Sequence, residues 1–171
     1  MRLLVNIRPE SPADVDAITV LTAEAFLYAE HTSHTEQFIV NALRRAGVLT
    51  VSLVAQAGDG TLQGHVALSP VTVSDCSAGW YGLGPISVAP AQQRQGIGSQ
   101  LMQRALDDLR ALGAAGCVLL GDPAYYARFG FAPRAGLVLE GVPPEYFMAL
   151  AFGVAYPQGA VQYHPAFDAH A

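Results

Sequence analysis

The sequence predicts a mixed α/β (α+β) fold in one domain spanning residues 1–171, and three observations carry that prediction. Helical spacing dominates before Gly47, strand-like patterning takes over from Val48, and a glycine-broken apolar run at 80–88 hands over to a strongly periodic helix. Both kinds of element along one chain imply helices packed on a sheet. The apolar fraction of 51% against 13% charged residues supplies the core, and a domain of 171 residues typically buries roughly 70% of its unfolded surface.

The elements follow in order. Leu3 to Arg8 alternates as a short strand. Ser11-Pro12-Ala13-Asp14 starts a helix, with Ser as N-cap, Pro at the first helical position and an acid at the third, and Val15, Ile18, Leu21 and Ala25 continue it. A second helix starts at Ser33, with Glu36 three residues on, turns Ile39 and Leu43 inward and stops at Gly47. Val51–Ala55, a turn at Gly58-Asp59-Gly60 and the β-rich run Gly64 to Val73 read as an antiparallel hairpin. Trp80 to Val88 is a third long strand, and Gly82, Gly84 and Pro85 bend it or free part of its backbone from a ladder. Ile97, Leu101, Ala105, Leu109 and Leu112 line one face of the clearest helix, which Gly113 ends. Cys117–Leu120 is a buried strand, Asp122-Pro123 opens another helix, and Leu137–Leu139 and Phe147–Phe152 are strand-like. The tail from Pro157 carries few periodic signals.

Composition excludes several functions. The longest apolar run, Phe147 to Tyr156, falls short of the roughly 20 residues a membrane span needs, and Leu3-Leu4-Val5 is too short for a secretory signal, so a cytoplasmic protein with no membrane partner is expected. Cys76 and Cys117 lack redox or zinc spacing. A net charge of −5 without a basic stripe argues against nucleic acid. All nine basic residues are arginines, which removes the phosphate-binding loop that depends on a lysine. No metal site is expected: His31 and His34 share a three-residue spacing but have no third ligand near them.

Gln93-Arg94-Gln95-Gly96-Ile97-Gly98 lies between a strand and the strongest helix, where amides without carbonyl partners point at an anion and glycines let the main chain approach it. A Rossmann dinucleotide loop fits poorly, because Gly96-Ile97-Gly98-Ser99-Gln100-Leu101 lacks the third glycine. A plain structural loop remains the other reading of these residues.

That hexapeptide, preceded by the strand Leu83–Pro90 and followed later by Tyr126-Ala127-Arg128-Phe129-Gly130-Phe131, resembles the GNAT superfamily of N-acetyltransferases. Its acyl-CoA loop reads Gln/Arg-x-x-Gly-x-Gly/Ala, and its later motif ends in Tyr-x-x-x-Gly-Phe. The run Gly121 to Tyr126 is similar to a bacterial subgroup of predicted N-acetyltransferases, although the segment before Tyr126 is short and lacks the family's usual Asn. The resemblance implies a strongly twisted, mostly antiparallel mixed sheet of six to seven strands, flanked by about four helices, whose fourth and fifth strands splay apart around the cofactor's pantetheine arm.

It also implies acetyl-CoA as co-substrate, an amine on a small molecule or peptide as acceptor, direct attack in a ternary complex, and a homodimer. Cofactor contacts would come from Ile86, Ser87 and Val88 on the broken strand and from Arg94, Gln95, Gly96, Ile97, Gly98 and Ser99 in the loop. By the same resemblance Tyr126 donates a proton to the departing sulfur, and a main-chain amide near Ile86 holds the oxyanion. Glu36 is the candidate base, with helix capping as its other explanation, and Asp122 has the same two readings. His65 either faces the cleft or packs in the core. The acceptor site is expected around residues 28–35 and after Phe131. A non-catalytic acyl-CoA-binding regulatory module is the alternative.

Overall fold

The computed structural model describes residues 4–30 and 32–171. Strand β1 (Asn6–Pro9) leads through a 3₁₀ turn at Pro12–Asp14 into α1 (Val15–Phe26), followed by α2 (Glu36–Arg45). The Ser11–Asp14 capping box forms as expected: the Asp14 carboxylate accepts from the Ser11 amide and hydroxyl, and Arg8 clamps it from the side at 2.7 and 3.0 Å. Helix α2 begins at Glu36 with Thr35 as its N-cap, two residues later than the Ser33 start predicted.

Next come β2 (Val51–Gln56), β3 (Leu62–Pro70), β4 (Thr72–Val73), β5 (Trp80–Val88), α3 (Ile97–Ala111), β6 (Gly116–Leu120), a single turn α4 (Pro123–Tyr126), β7 (Leu137–Val138), β8 (Phe147–Ala151) and β9 (Gly159–Gln162). The main sheet runs β1-β2-β3-β5-β6-β8 and is antiparallel except where β5 pairs parallel with β6. The run predicted as one strand over 64–73 divides at Val71: β3 stays in the main sheet and β4 joins β9 and β7 in a second sheet. The tail, read as nearly featureless, supplies the middle strand of that sheet and a closing 3₁₀ turn at Pro165–Asp168.

Alternation in the strands sorts side chains onto two faces. Leu53, Val66, Leu68, Leu83, Cys117 and Leu119 meet Ile97, Leu101, Ala105 and Leu109 of α3. On the other face Val54 and Ala67 lie under Ile18 of α1 and Val40 of α2. The second sheet continues this cover, packing Val73, Leu137 and Val161 on Trp80, Val118 and Phe147.

Two irregularities shape the middle of the sheet. The β3–β5 register slips between Val66↔Ile86 and Leu68↔Leu83, so Gly84 and Pro85 together oppose Ala67 as a β-bulge. The β5–β6 ladder covers Trp80↔Gly116 to Gly82↔Val118 and goes no further. The fourth and fifth strands of the main sheet thus part beyond Gly82, as the fold expectation required.

Candidate active site

The parting strands leave one side of β5 without a neighbour. The Ala89 amide donates to Gln63 O at 2.9 Å on the β3 side, so strand alternation turns the peptide groups of Val88 and Ile86 into the gap and those of Ser87 toward β3. Gln93 Nε2 donates to the Val88 carbonyl at 3.2 Å and braces the lip of the gap. The Ser87 side chain is buried on the face opposite α3.

At the mouth of the gap the chain turns into α3. Arg94 has φ 64° and Gly96 has φ 87°, two left-handed residues either side of Gln95. This curl aims successive amides inward, as in anion-binding concavities. Among the described residues, no amide from Arg94 through Ser99 donates to a protein acceptor, whereas the Gln100 amide closes onto Gly96 O at 3.1 Å. A cavity of about 350 Å³ lies against this turn, lined by Val88, Arg94, Gly96, Gly98, Ser99, Tyr125 and Arg128. A β-carbon at Gly98 would stand 3.5 Å from Tyr125 Oη and 3.8 Å from Val88 Cγ2, narrowing the cavity. Ile97 lines the cavity too, while its side chain packs into the core.

Tyr125, expected as a packing aromatic, lines this cavity, with its hydroxyl 3.3 Å from Ser99 Oγ. Arg128 stacks over the Tyr125 ring at 4.4 Å and donates to the Tyr125 carbonyl at 2.9 Å, which brings a second guanidinium to the turn. Their three-residue spacing after an N-capping Asp122 was the signal available in the sequence, since i and i+3 share a helical face.

Tyr126 lies on the other side of the same turn. Its ring covers Gly121 at the end of β6 and meets Phe131 edge-on at 6.5 Å. Burial, then the neighbouring Tyr125 and Asp122, push its phenol up to about 12. Among the described residues the hydroxyl has no hydrogen-bond partner.

Glu36 is engaged locally. Thr32 Oγ1 donates to it at 2.6 Å, and the Ser33 amide and hydroxyl donate at 3.2 and 3.1 Å. Burial alone would raise its pKa, but these bonds hold it below its ordinary range. Asp122 caps α4 by accepting from the Ala124 amide at 2.9 Å. His65 is fully buried on the α1–α2 face and bonds Ser52 Oγ at 2.8 Å. His31 lies outside the described residues, and among those described no His, Cys, Asp or Glu cluster could hold a metal. No described helix is long and apolar enough to cross a membrane.

A splayed sheet, a cradle of free amides at the start of α3 and a half-buried tyrosine in α4 thus meet at one end of the β5–β6 gap. Residues 15–131 match the profile of the Acetyltransferase (GNAT) family, and the chain belongs to that family. Over 125 residues it is 41% identical to the uncharacterized N-acetyltransferase YhbS of Escherichia coli K12, covering 73% of this chain and 72% of that one. A GNAT family acetyltransferase from Brucella melitensis, crystallised with acetyl-CoA, superposes with a TM-score of 0.85 at 48% identity, covering 96% and 99% of the two chains. E. coli YhbS in complex with CoA superposes with a TM-score of 0.86 at 35% identity, covering 98% and 94%.

Proposed function

We propose that this protein transfers an acetyl or other acyl group from acetyl-CoA to an amino group of a small-molecule or peptide acceptor, by direct attack in a ternary complex. The observation that carries this is the unbroken run of unpartnered amides from Arg94 to Ser99 at the open end of the β5–β6 gap. Two related structures, those of the Brucella melitensis acetyltransferase and of E. coli YhbS, hold acetyl-CoA and CoA respectively.

The residues suit a diphosphate with a pantetheine arm. Amides at a helix start, with Arg94 and Arg128 beside them, favour an anion through both hydrogen bonds and the helix dipole. The peptide groups of Ile86 and Val88 can pair with pantetheine amides as a missing strand would. Bound there, acetyl-CoA supplies an activated thioester and a thiolate leaving group.

An amine attacking that carbonyl needs an oxyanion donor and a proton for the sulfur. The Ile86 amide, beside the bulge and facing the gap, serves the first need. Tyr126 serves the second, because a phenol held near 12 stays protonated at neutral pH. Glu36 already accepts three local bonds that shape the 32–36 loop, so we assign it that role and place the base elsewhere.

Calorimetry with acetyl-CoA and a thiol-release assay over an amine and peptide panel test this reading. Tyr126→Phe should lower turnover by roughly 10²–10⁴-fold with acetyl-CoA affinity unchanged. Binding without thiol release for any amine marks an acyl-CoA-binding module instead, and absence of binding to folded protein removes the assignment.

A further inference from the structure

Three of the buried polar atoms without a partner are His65 Nδ1, Ser69 Oγ and Ser87 Oγ. They share a face. Gly64, Val66 and Leu68 of β3 turn toward α3, so His65 and Ser69 turn the other way. Beyond the bulge Ile86 and Val88 turn toward α3, so Ser87 joins that opposite face. His65 and Ser87 are direct cross-strand partners. The two side chains do not bond each other in this structure, but such pairs have β-carbons about 4.5–5.5 Å apart, so a turn of the Ser87 hydroxyl toward the imidazole can join them.

The polar groups behind His65 decide which nitrogen carries its hydrogen. Glu10 accepts from Arg44 Nε and Nη2 at 2.8 Å each and from the Ser52 hydroxyl. Burial would raise the Glu10 pKa, but the nearby His65 ring and the bonds from Arg44 and Ser52 hold it down at about 2, so it is ionised and can only accept. Ser52 has one hydrogen and gives it to Glu10. Its oxygen must therefore accept from His65 Nε2, 2.8 Å away. Nδ1 is left as a bare lone pair. The two ring nitrogens point in widely divergent directions, so Nδ1 turns away from β2 toward the side on which β5 runs.

We propose that His65 accepts the acceptor amine's proton through Ser87, with Glu10 and Ser52 holding the imidazole in the receptive tautomer. The proposal rests on the acetyl-transfer reading and supplies the base that reading lacks. An ammonium N–H gives its proton to Ser87 Oγ as the Ser87 proton passes to His65 Nδ1. The imidazolium keeps its Nε2–H on Ser52, whose own hydrogen stays on the Glu10 carboxylate. The freed nitrogen lone pair forms the C–N bond and the C–S bond breaks. Tyr126 protonates the thiolate and is restored by the second amine proton. One proton remains on His65 and leaves to solvent, so no further reactant is required.

The charged groups acting on His65 are Glu10 and Arg44. From α1, Thr22 is buried but spends its hydroxyl on Ile18 O at 2.7 Å. Burial lowers the His65 pKa more than Glu10 raises it, and Arg44 lowers it further, so the ring is neutral and receptive at neutral pH.

Two measurements test the relay. ¹⁵N NMR of the intact protein should show His65 as the Nε2–H tautomer; an Nδ1–H tautomer overturns the proposal without any turnover being needed. In kinetics, Ser87→Ala should lower kcat about 10²-fold, leave the KM for acetyl-CoA unchanged and abolish the acidic limb of the pH profile, and Ser87→Thr should restore both. His65→Gln should match Ser87→Ala; where it fails to fold, the Ser87 pair decides. Wild-type transfer with an indifferent Ser87→Ala sinks the relay alone. Wild-type protein that binds acetyl-CoA yet acetylates no amine sinks the transfer reading, and the relay with it.

Discussion

The backbone of Gly121 lies against the ring of Tyr126 so closely that a β-carbon at 121 would overlap it. The end of β6 thereby fixes where the phenol sits relative to the gap. Gly121→Ala must push the ring aside, at a cost of about 1–3 kcal/mol for overpacking. We expect a urea midpoint lowered accordingly and a kcat reduced at least about tenfold, with acetyl-CoA affinity retained, because the cradle lies on a different segment. Steady-state kinetics beside calorimetry check this.

The cradle itself depends on Gly96. At φ 87° an L-residue is strained, by roughly 1–2 kcal/mol for the left-handed region. Gly96→Ala should relax the turn and misalign its amides. Acetyl-CoA should bind about tenfold more weakly, one decade being about 1.4 kcal/mol. Arg128→Ala should weaken binding too, and that loss should shrink as salt is raised, which calorimetry at two ionic strengths would show.

Acid should destabilise the fold in two stages. The His65 pKa is depressed by burial, so the unfolded chain takes up the proton first, and stability falls as pH drops below about 6.5. Glu10 is depressed to about 2, so its contribution is present above the unfolded carboxyl value of about 4.3 and is lost as pH falls from there toward 2. Asp14, lowered chiefly by the Arg8 hydrogen bonds, acts in the same direction. Thermal melting from pH 7.5 to pH 3 should trace both limbs, and Glu10→Gln should flatten the lower one.

Leu101 is fully buried where α3 packs against Gly64 of β3. A β-carbon at Gly64 would lie 2.9 Å from Leu101 Cδ1 and 3.0 Å from Ile97 Cγ2. Leu101→Ala should cost about 2–5 kcal/mol, read from urea denaturation. Gly64→Ala at the same contact should also destabilise, since the Leu101 and Ile97 side chains must shift to admit the methyl.

The elements legible in the sequence were those whose signals are local. The apolar stripe Ile97-Leu101-Ala105-Leu109, the Ser11–Asp14 capping box and the glycines of the 93–98 turn each state their conformation within a few residues. Strand β9 was not legible, because of its four residues only Val161 is buried and its conformation comes from pairing with β4 and β7, far away in the chain. Val71 ended β3 for a similar reason: Gly64–Val73 is uniformly β-forming, and only the departure of β4 into a second sheet divides it. At the site, the cradle and the Tyr126 motif could be read as a pattern, whereas the Glu10–Ser52–His65 chain could not. Those three residues come from separate segments and meet only once β2 and β3 pair.

The bulge at Gly84-Pro85 adds one residue to β5 and so inverts the parity of everything after it. Upstream, odd-numbered Tyr81 and Leu83 meet α3; downstream, even-numbered Ile86 and Val88 do. Excising a single residue there would swap the two sets, driving a serine hydroxyl into the oily layer beneath α3 and turning two aliphatic side chains toward α1. The half-site beyond the bulge is thus set by counting, and a one-codon deletion should erase it more completely than any substitution within it.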